Sequence, residues 1–179
     1  MLCKKLAVVV MPFFFAAAAL AANSDLERAL SALHAASQAA IKVSDLADKS
    51  AKSDLVKAYA RTVSSGNAEL LDAKLMLIAQ KQGIKVLPLD PQTEAGKSLI
   101  DRLQAEAVML GSLKGDAFDK AYMTLVTNTQ QSVLQLANAN IASATDPAVT
   151  AFFTDLKTII ENRLTTAQDI LAKVYGDEV

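Results

Sequence analysis

The stretch PQTEAGKS, residues 91 to 98, ends in the residues that close a phosphate-binding loop. Such a loop cradles phosphates with the backbone N–H groups of a glycine-rich turn, and its lysine reaches the terminal phosphates. Here Pro91 stands where the first glycine belongs, and the segment before it is not a buried strand of a parallel sheet. We therefore interpret the stretch as the first turn of a helix.

The only histidine, His34, is the only imidazole that could act as a general base. A serine hydrolase needs such a base beside its nucleophile. GSLKG, residues 111 to 115, is not the G-x-S-x-G nucleophile elbow, because its serine is in the second position. His34 lies beside an apolar stripe, with Leu30, Ser37 and Ile41 on adjacent turns, and we predict a half-buried packing residue. We therefore predict no catalytic residue and no enzyme.

Metal-binding residues are scarce. Helical di-iron proteins use Glu-x-x-His pairs, but the residue three positions before the sole histidine is Ser31, and the one cysteine, Cys3, lies in a segment predicted to be removed. Without imidazole or thiolate, a transition-metal site is disfavoured. We predict no metal ligand and no cofactor, and keep a carboxylate-only metal site as an alternative. The glutamates that could in principle converge are Glu27, Glu69, Glu106 and Glu161.

The first 21 residues have the organisation of a secretory signal peptide. A short basic head precedes an apolar run, residues 6 to 20, and the small-x-small site ALA ends at residue 21. We predict cleavage before Ala22, with Asn23 as the alternative first residue. An uncleaved anchor is disfavoured because the run is interrupted by Pro12 and is barely long enough to span a bilayer. The protein is thus predicted to reach the bacterial periplasm.

The mature chain, residues 22 to 179, is predicted to form a single domain. A chain of about 158 residues buries roughly two thirds of its unfolded surface and needs no disulfide. It carries 16 basic and 19 acidic residues, a formal net charge of −3. Because no basic stripe with interleaved aromatics exists, we expect no nucleic-acid partner, and the mixed-sign polar faces indicate no stable membrane insertion. An unknown protein partner, and a monomer or a homodimer, are left open.

Hydrophobic periodicity predicts four long helices. The first runs from about Ser24, its capping residue, to Lys49. The second begins at the capping residue Ser53 and runs to about Gln82, and Gly83 ends it. Its buried face is predicted to be Val56, Tyr59, Val63, Leu70 and Leu77. Four weak helix formers, SSGN at residues 64 to 67, interrupt this helix, and we predict a local irregularity there.

The third long helix is predicted to begin in GDAFDKAYM, residues 115 to 123, with Asp116 as its cap. Phe118 and Tyr122, four residues apart, are predicted to be core residues at its start. The fourth long helix follows Asp146, which we assign as its cap, and Pro147 takes the first helical position. Its apolar face is predicted to be Val149, Phe153, Leu156, Ile160, Leu164, Ala167, Leu171 and Val174.

The connection between the second and third long helices is some 30 residues long, more than a tight turn requires. Pro88 and Pro91 exclude a regular helix at its start, and a short helix is predicted from about Thr93 to Leu110. Helices with such apolar faces must pack together. The sequence therefore predicts an all-α fold, a four-helix bundle with a long crossover that carries a short extra helix.

Four segments carry a family resemblance: AKSDLVKAYA at 51 to 60, LIAQKQGIKVLP at 77 to 88, GDAFDKAYM and DPAVTAFFTDL at 146 to 156. With the signal peptide, they resemble the bacterial family DUF4142, a domain of unknown function, from about residue 30 to residue 173. Members of that family are secreted, are often labelled outer-membrane or periplasmic proteins, and are regarded as ferritin-like helical bundles. The resemblance implies a ferritin-like four-helix bundle.

Members of the family usually place histidines on three of the long helices, which implies a metal-binding hypothesis for them. The equivalent histidine positions here are Asn67, or Gly66 if the register shifts by one, Gln130 and Arg163. Thr129, before Gln130, stands where the family usually has an aspartate. The chain thus resembles the family scaffold without its ligand histidines. If Gln130 and Arg163 point into the bundle, we expect Arg163 to be paired, because an unpaired buried guanidinium is very costly. A fully exposed Arg163 would remove this hypothesis.

We predict a non-catalytic periplasmic protein, acting as an interaction or stress-related accessory protein. A ferritin-like metal or redox protein that uses carboxylates alone is the second interpretation. A carrier of a small apolar ligand is the third, with a pocket between helices near the SSGN irregularity.

Overall fold

The computed structural model describes residues 22–67, 71–86, 101 and 105–176, and all regular structure in these ranges is helical. The prediction of an all-α fold is confirmed for this part of the chain. Residues 105–112 are one helical segment. The long elements are α1 (Ala22–Ser50), α2 (Asp54–Gly66), α3 (Asp72–Lys81), α4 (Gly115–Ser143) and α5 (Pro147–Tyr175). The predicted signal peptide, most of the crossover, the GKS stretch, Glu69 and Leu70 lie outside the described residues.

The helices bury their apolar faces against one another. α4 packs against α5 and α1 against α2, while α1 also contacts α3 and α4, and α5 also contacts α2 and α3. Two clusters of buried side chains result. The larger residues of the first cluster are Val56, Tyr59, Phe118, Tyr122 and Met123. Those of the second are Leu30, Leu33, Leu75, Phe153 and Leu156. Within the described residues, none of the helices combines the length and the apolarity that a bilayer crossing requires.

The aromatic pair at the start of α4 is a core element, as the spacing predicts. Phe118 is 1% exposed and Tyr122 is 0% exposed. The Tyr122 hydroxyl lies 2.9 Å from the Ser44 hydroxyl of α1, so its one polar atom is hydrogen-bonded in the interior. The stretch GDAFDKAYM is therefore the start of a packed helix.

Two of the predicted helix caps are wrong, and a third is confirmed in its position but not in its hydrogen bond. α1 already includes Ala22, so Ser24 lies inside the helix. Ser53 occupies the N-cap position of α2, but its side chain makes no capping hydrogen bond. The N-cap residue of α4 is Lys114, because Gly115 adopts a φ of +62°, which glycine tolerates without strain, and the helix begins there. Asp116 instead accepts a 2.8 Å hydrogen bond from Nζ of Lys52.

A buried carboxylate, Asp119, ties α4 to the turn between α1 and α2. Its side chain is 0% exposed. Oδ1 accepts from the backbone N–H of Lys52 at 2.9 Å, and Oδ2 accepts from that of Ser53 at 2.8 Å. The two N–H groups immediately before α2 are thus satisfied by a residue of another helix, which fixes the turn between α1 and α2 against the start of α4.

Two other predicted helix ends are confirmed. Asp146 accepts from the backbone N–H groups of Ala148 at 2.7 Å and Val149 at 3.1 Å, and Pro147 takes the first helical position. After α3, Gly83 has a φ of +65°, and the N–H of Ile84 donates to the carbonyl of Ala79 at 2.8 Å. That pattern is the Schellman ending that a glycine after a helix indicates.

The predicted irregularity in the second long helix is confirmed. α2 ends at Gly66, Asn67 and Leu71 are in π-helical conformation, and α3 begins at Asp72. The buried positions here include Asn67, Leu71, Leu75 and Ile78, which follow one another at steps of four, four and three, whereas Leu77 is 50% exposed. The prediction that Leu77 lies on the buried face is wrong, because the face that these residues form passes through Leu75 and Ile78 on either side of it.

Candidate functional site

The three positions equivalent to the family histidines converge on one crevice between helices. Asn67, Gln130 and Arg163 all line it, although they belong to different parts of the chain. Nη1 of Arg163 donates to Oδ1 of Asn67 at 2.7 Å. Arg163 therefore points inward, as hypothesised, and its partner is a carboxamide, which supplies a hydrogen bond but no counter-charge. The crevice also lies at the π-helical turn, a kind of feature that is frequent at functional sites.

The walls of the crevice are mostly apolar. The cavity volume is about 50 Å³. Its polar lining, besides the three residues above, is Ser37, Glu106 and Thr129. Its larger apolar residues are Leu33, Val63, Leu125, Val126, Val133 and Ile160. An apolar cavity with a few polar groups is the usual composition of a small-molecule site.

A hydrogen-bonded chain fixes the orientation of Gln130 below the crevice. Nε2 of Gln130 donates to the Tyr59 hydroxyl at 2.9 Å, and that hydroxyl donates to the backbone carbonyl of Arg163 at 3.2 Å. Gln130 and Tyr59 are both buried. Burial raises the pKa of Tyr59, and the Gln130 hydrogen bond and the Arg163 charge oppose this only in part. The sequence places Tyr59 on a core face but gives no signal for this polar role.

We expect the free energy of unfolding to fall as pH rises above about 10. Burial raises the pKa of both Tyr59 and Tyr122, so the folded protein retains phenol protons that the unfolded chain loses above its ordinary tyrosine pKa. The stability from these protons is complete below about pH 10 and declines above it. Urea unfolding at a series of alkaline pH values measures this decline. Ionisation of all tyrosines near their ordinary pKa, in a protein that keeps its helical circular dichroism, would disprove it.

Gly66 makes room for the guanidinium of Arg163. A Cβ atom at position 66 would overlap Nη2 of Arg163, so the arginine lies directly against the backbone at the end of α2. Both register alternatives for the family position, Gly66 and Asn67, therefore contact Arg163. Removal from water lowers the pKa of Arg163, but a guanidinium remains charged at neutral pH. The crevice thus has one half-buried positive charge in its wall.

His34 has a partner that the sequence does not indicate. Its Nδ1 lies 3.3 Å from Oδ1 of Asp72, the first residue of α3, and Nε2 of Gln38 donates to the other carboxylate oxygen. The histidine side chain is 30% exposed, which confirms the prediction of a half-buried residue. The cluster joins α1 to the helix that follows the π-helical turn. His34 and Asp72 are 38 residues apart in the chain, so the sequence gives no local signal of this contact.

The candidate carboxylate ligands do not form a metal site in the described part of the chain. No three histidine, cysteine, aspartate or glutamate side chains come together there in a way that could hold a metal ion. Of the glutamates with a predicted possible role, Glu106 lines the crevice, and Glu161 is exposed and lies 3.8 Å from Nζ of Lys157. At the three family positions this chain has two carboxamide side chains and one guanidinium, so no histidine is present there.

Fold and site together define a protein whose described residues form an all-helical fold with a small crevice between the helices. Its fold is similar to that of a DUF305 protein described as secreted, from Streptomyces coelicolor, seen in a crystal structure. The TM-score is 0.65 at 16% sequence identity, over 84% of this chain and 92% of that one. The chain belongs to DUF4142, a domain of unknown function, whose family profile matches residues 14–170. Among curated proteins, none matches the sequence significantly.

Proposed function

We propose that this protein is an exported accessory protein of the bacterial periplasm, without catalytic activity, that acts by binding a small ligand in the crevice. The observation that carries the proposal is the convergence of Asn67, Gln130 and Arg163 on one apolar cavity beside a π-helical turn. This matches the carrier interpretation, which requires a pocket near residues 64 to 67. The signal-like first 21 residues and the secreted structural relative support export.

We propose also that the fold is a ferritin-like four-helix bundle, in which α2 and α3 together take the place of one long helix. Their shared contacts with α1 and α5 support this grouping. In such bundles the ligands of a metal project into the interior from facing helices. Here the residues at the equivalent positions form hydrogen bonds with each other or with Tyr59, which supports an adapted binding crevice.

Filling the crevice is expected to abolish ligand binding while the fold is kept. Ala40 lines the crevice, and Ala40→Leu adds three carbon atoms there. We expect the NMR shifts that 1-butanol causes at crevice residues to be lost in this variant. Ala139→Leu, a matched change on the exposed face of α4, is the control and should leave them unchanged. Equal shifts in wild type and Ala40→Leu would refute binding in the crevice.

Native mass spectrometry of untagged protein from the periplasm, with elemental analysis, tests whether the signal segment is cleaved and whether the protein holds a metal. We expect a mature chain that begins at Ala22 or Asn23, with substoichiometric metal. Stoichiometric iron, manganese, zinc or copper would replace the proposal with the carboxylate-metal interpretation. An intact signal segment in the purified protein would contradict export through cleavage.

A further inference from the structure

A half-buried guanidinium in the wall of an apolar cavity selects for a particular kind of ligand. We propose that the crevice binds a short-chain monocarboxylate, whose carboxylate contacts Arg163 and whose alkyl chain lies against Val63, Val126 and Ile160. This inference rests on the proposed function and narrows its ligand to one chemical class. Neutral apolar molecules of the same size are the competing class.

The hydrogen bonding of Arg163 leaves room for an anion. A guanidinium carries five N–H donors, and among the described residues the acceptor of a side-chain bond from Arg163 is Oδ1 of Asn67. In the same ranges, no carboxylate lies within ion-pair distance of Arg163. A guanidinium that is partly removed from water without a counter-charge is unfavourable. A ligand carboxylate supplies that charge and matches the planar fork of donors.

The neighbouring polar groups do not offer a competing site. The amide of Gln130 is held by Tyr59, and the Thr129 hydroxyl donates to the carbonyl of Leu125 at 2.9 Å. The remaining charge in the lining is Glu106, which is negative and forms an interaction of its own. Glu106 repels any carboxylate in the crevice, so a ligand with two carboxylates, of which only one can contact Arg163, is disfavoured more than a ligand with one. The crevice therefore favours an acid with a single negative charge.

The volume of the cavity limits the length of the acid. A water-sized group requires about 10–15 Å³ of such space, and the cavity offers about 50 Å³. It therefore holds roughly three to five such groups, which is enough for acetate or propionate, or for the alkyl chain of butyrate with its carboxylate at Arg163. A long acyl chain does not fit unless its tail leaves the crevice.

A comparison of butyrate with 1-butanol separates charge recognition from apolar binding. The two probes share an alkyl chain and differ in the carboxylate. We expect butyrate to shift the amide NMR signals of crevice residues with an affinity at least about tenfold higher than that of 1-butanol, because the charge-assisted hydrogen bonds to Arg163 form only with butyrate. Sodium chloride at the same concentration is the ionic control and should not reproduce the butyrate shifts.

Two variants test the role of the guanidinium. Arg163→Met keeps an apolar stem but removes the charge, and we expect it to bind the two probes equally. Gly66→Ala keeps Arg163 but forces its guanidinium away from the backbone, and we expect it to lose most of the preference for butyrate. If Arg163→Met does not fold, Gly66→Ala carries the test, since alanine is favourable in a helix. Arg61→Met, which removes an exposed arginine paired with Asp48, is the matched control and should retain the preference.

The outcomes distinguish this inference from the proposed function. Equal affinities of butyrate and 1-butanol for the wild-type protein would overturn carboxylate recognition but leave a binding crevice. Shifts by chloride that match those of butyrate would overturn recognition of an alkyl acid. If neither organic probe shifts a crevice residue, both the inference and the proposed function fail.

Discussion

Replacing Phe118 with alanine is expected to lower the free energy of unfolding by about 3–5 kcal/mol. The side chain is 1% exposed and belongs to the cluster that joins the end of α1, the start of α2 and the start of α4. Its removal loses the transfer free energy of a whole ring and leaves a cavity that close-packed helices fill only in part. Urea unfolding monitored by circular dichroism measures the loss, which we expect as a lower midpoint with an unchanged m-value.

Val108→Ala is the control for this substitution, because Val108 is 74% exposed. Its expected effect is within about 0.5 kcal/mol. A Phe118→Ala variant that is as stable as Val108→Ala would show that the start of α4 does not anchor the core, and the interpretation of GDAFDKAYM as a packing motif would be wrong.

Asp119→Ala is expected to cost about 3 kcal/mol, because it leaves the backbone N–H groups of Lys52 and Ser53 without their acceptor. Both donors lie at the turn that begins α2, and the carboxylate that satisfies them is 0% exposed. The alanine side chain cannot accept a hydrogen bond, and the turn must then open to water or remain unsatisfied. Hydrogen exchange at these two amides should accelerate together with the loss of global stability.

Asp116→Ala is the matched control, three residues earlier in the same motif. Its carboxylate pairs with Lys52 at the exposed surface, where such pairs contribute little. We expect no resolvable change in the midpoint of urea unfolding. If Asp116→Ala were the more damaging of the two substitutions, the first turn of α4 would depend on the surface ion pair rather than on the buried acceptor.

The sequence predicts α4 and α5 well because their apolar residues recur at steps of three and four, over about five turns in α4 and about seven in α5. The Asp146 cap could be predicted because its partners are two and three residues away. The N-cap of α4 could not be judged from local pattern, since a positive φ at Gly115 decides it, and the Asp119 carboxylate that accepts from the Ser53 N–H lies 66 residues away. Long-range acceptors leave no periodic signal in a sequence.

The candidate site could be predicted in its positions but not in its contacts. The SSGN stretch indicates an irregular helix because glycine and serine are weak helix formers, and the family resemblance points to Asn67, Gln130 and Arg163. Neither shows that Asn67 and Leu71 are in π-helical conformation, or that Gly66 is needed because the Arg163 guanidinium lies against it. These features depend on how two distant helices approach each other.

Intermolecular nuclear Overhauser effects between a small apolar ligand and the methyl groups of the protein test the central claim most directly. With 1-butanol bound to methyl-labelled mature protein, we predict contacts from the butanol methyl to Val63, Val126 and Ile160, which line the crevice. Contacts confined to the exposed side chains Leu55, Met76 and Leu77, or no contacts from either 1-butanol or butyrate, would contradict a binding crevice beside Asn67.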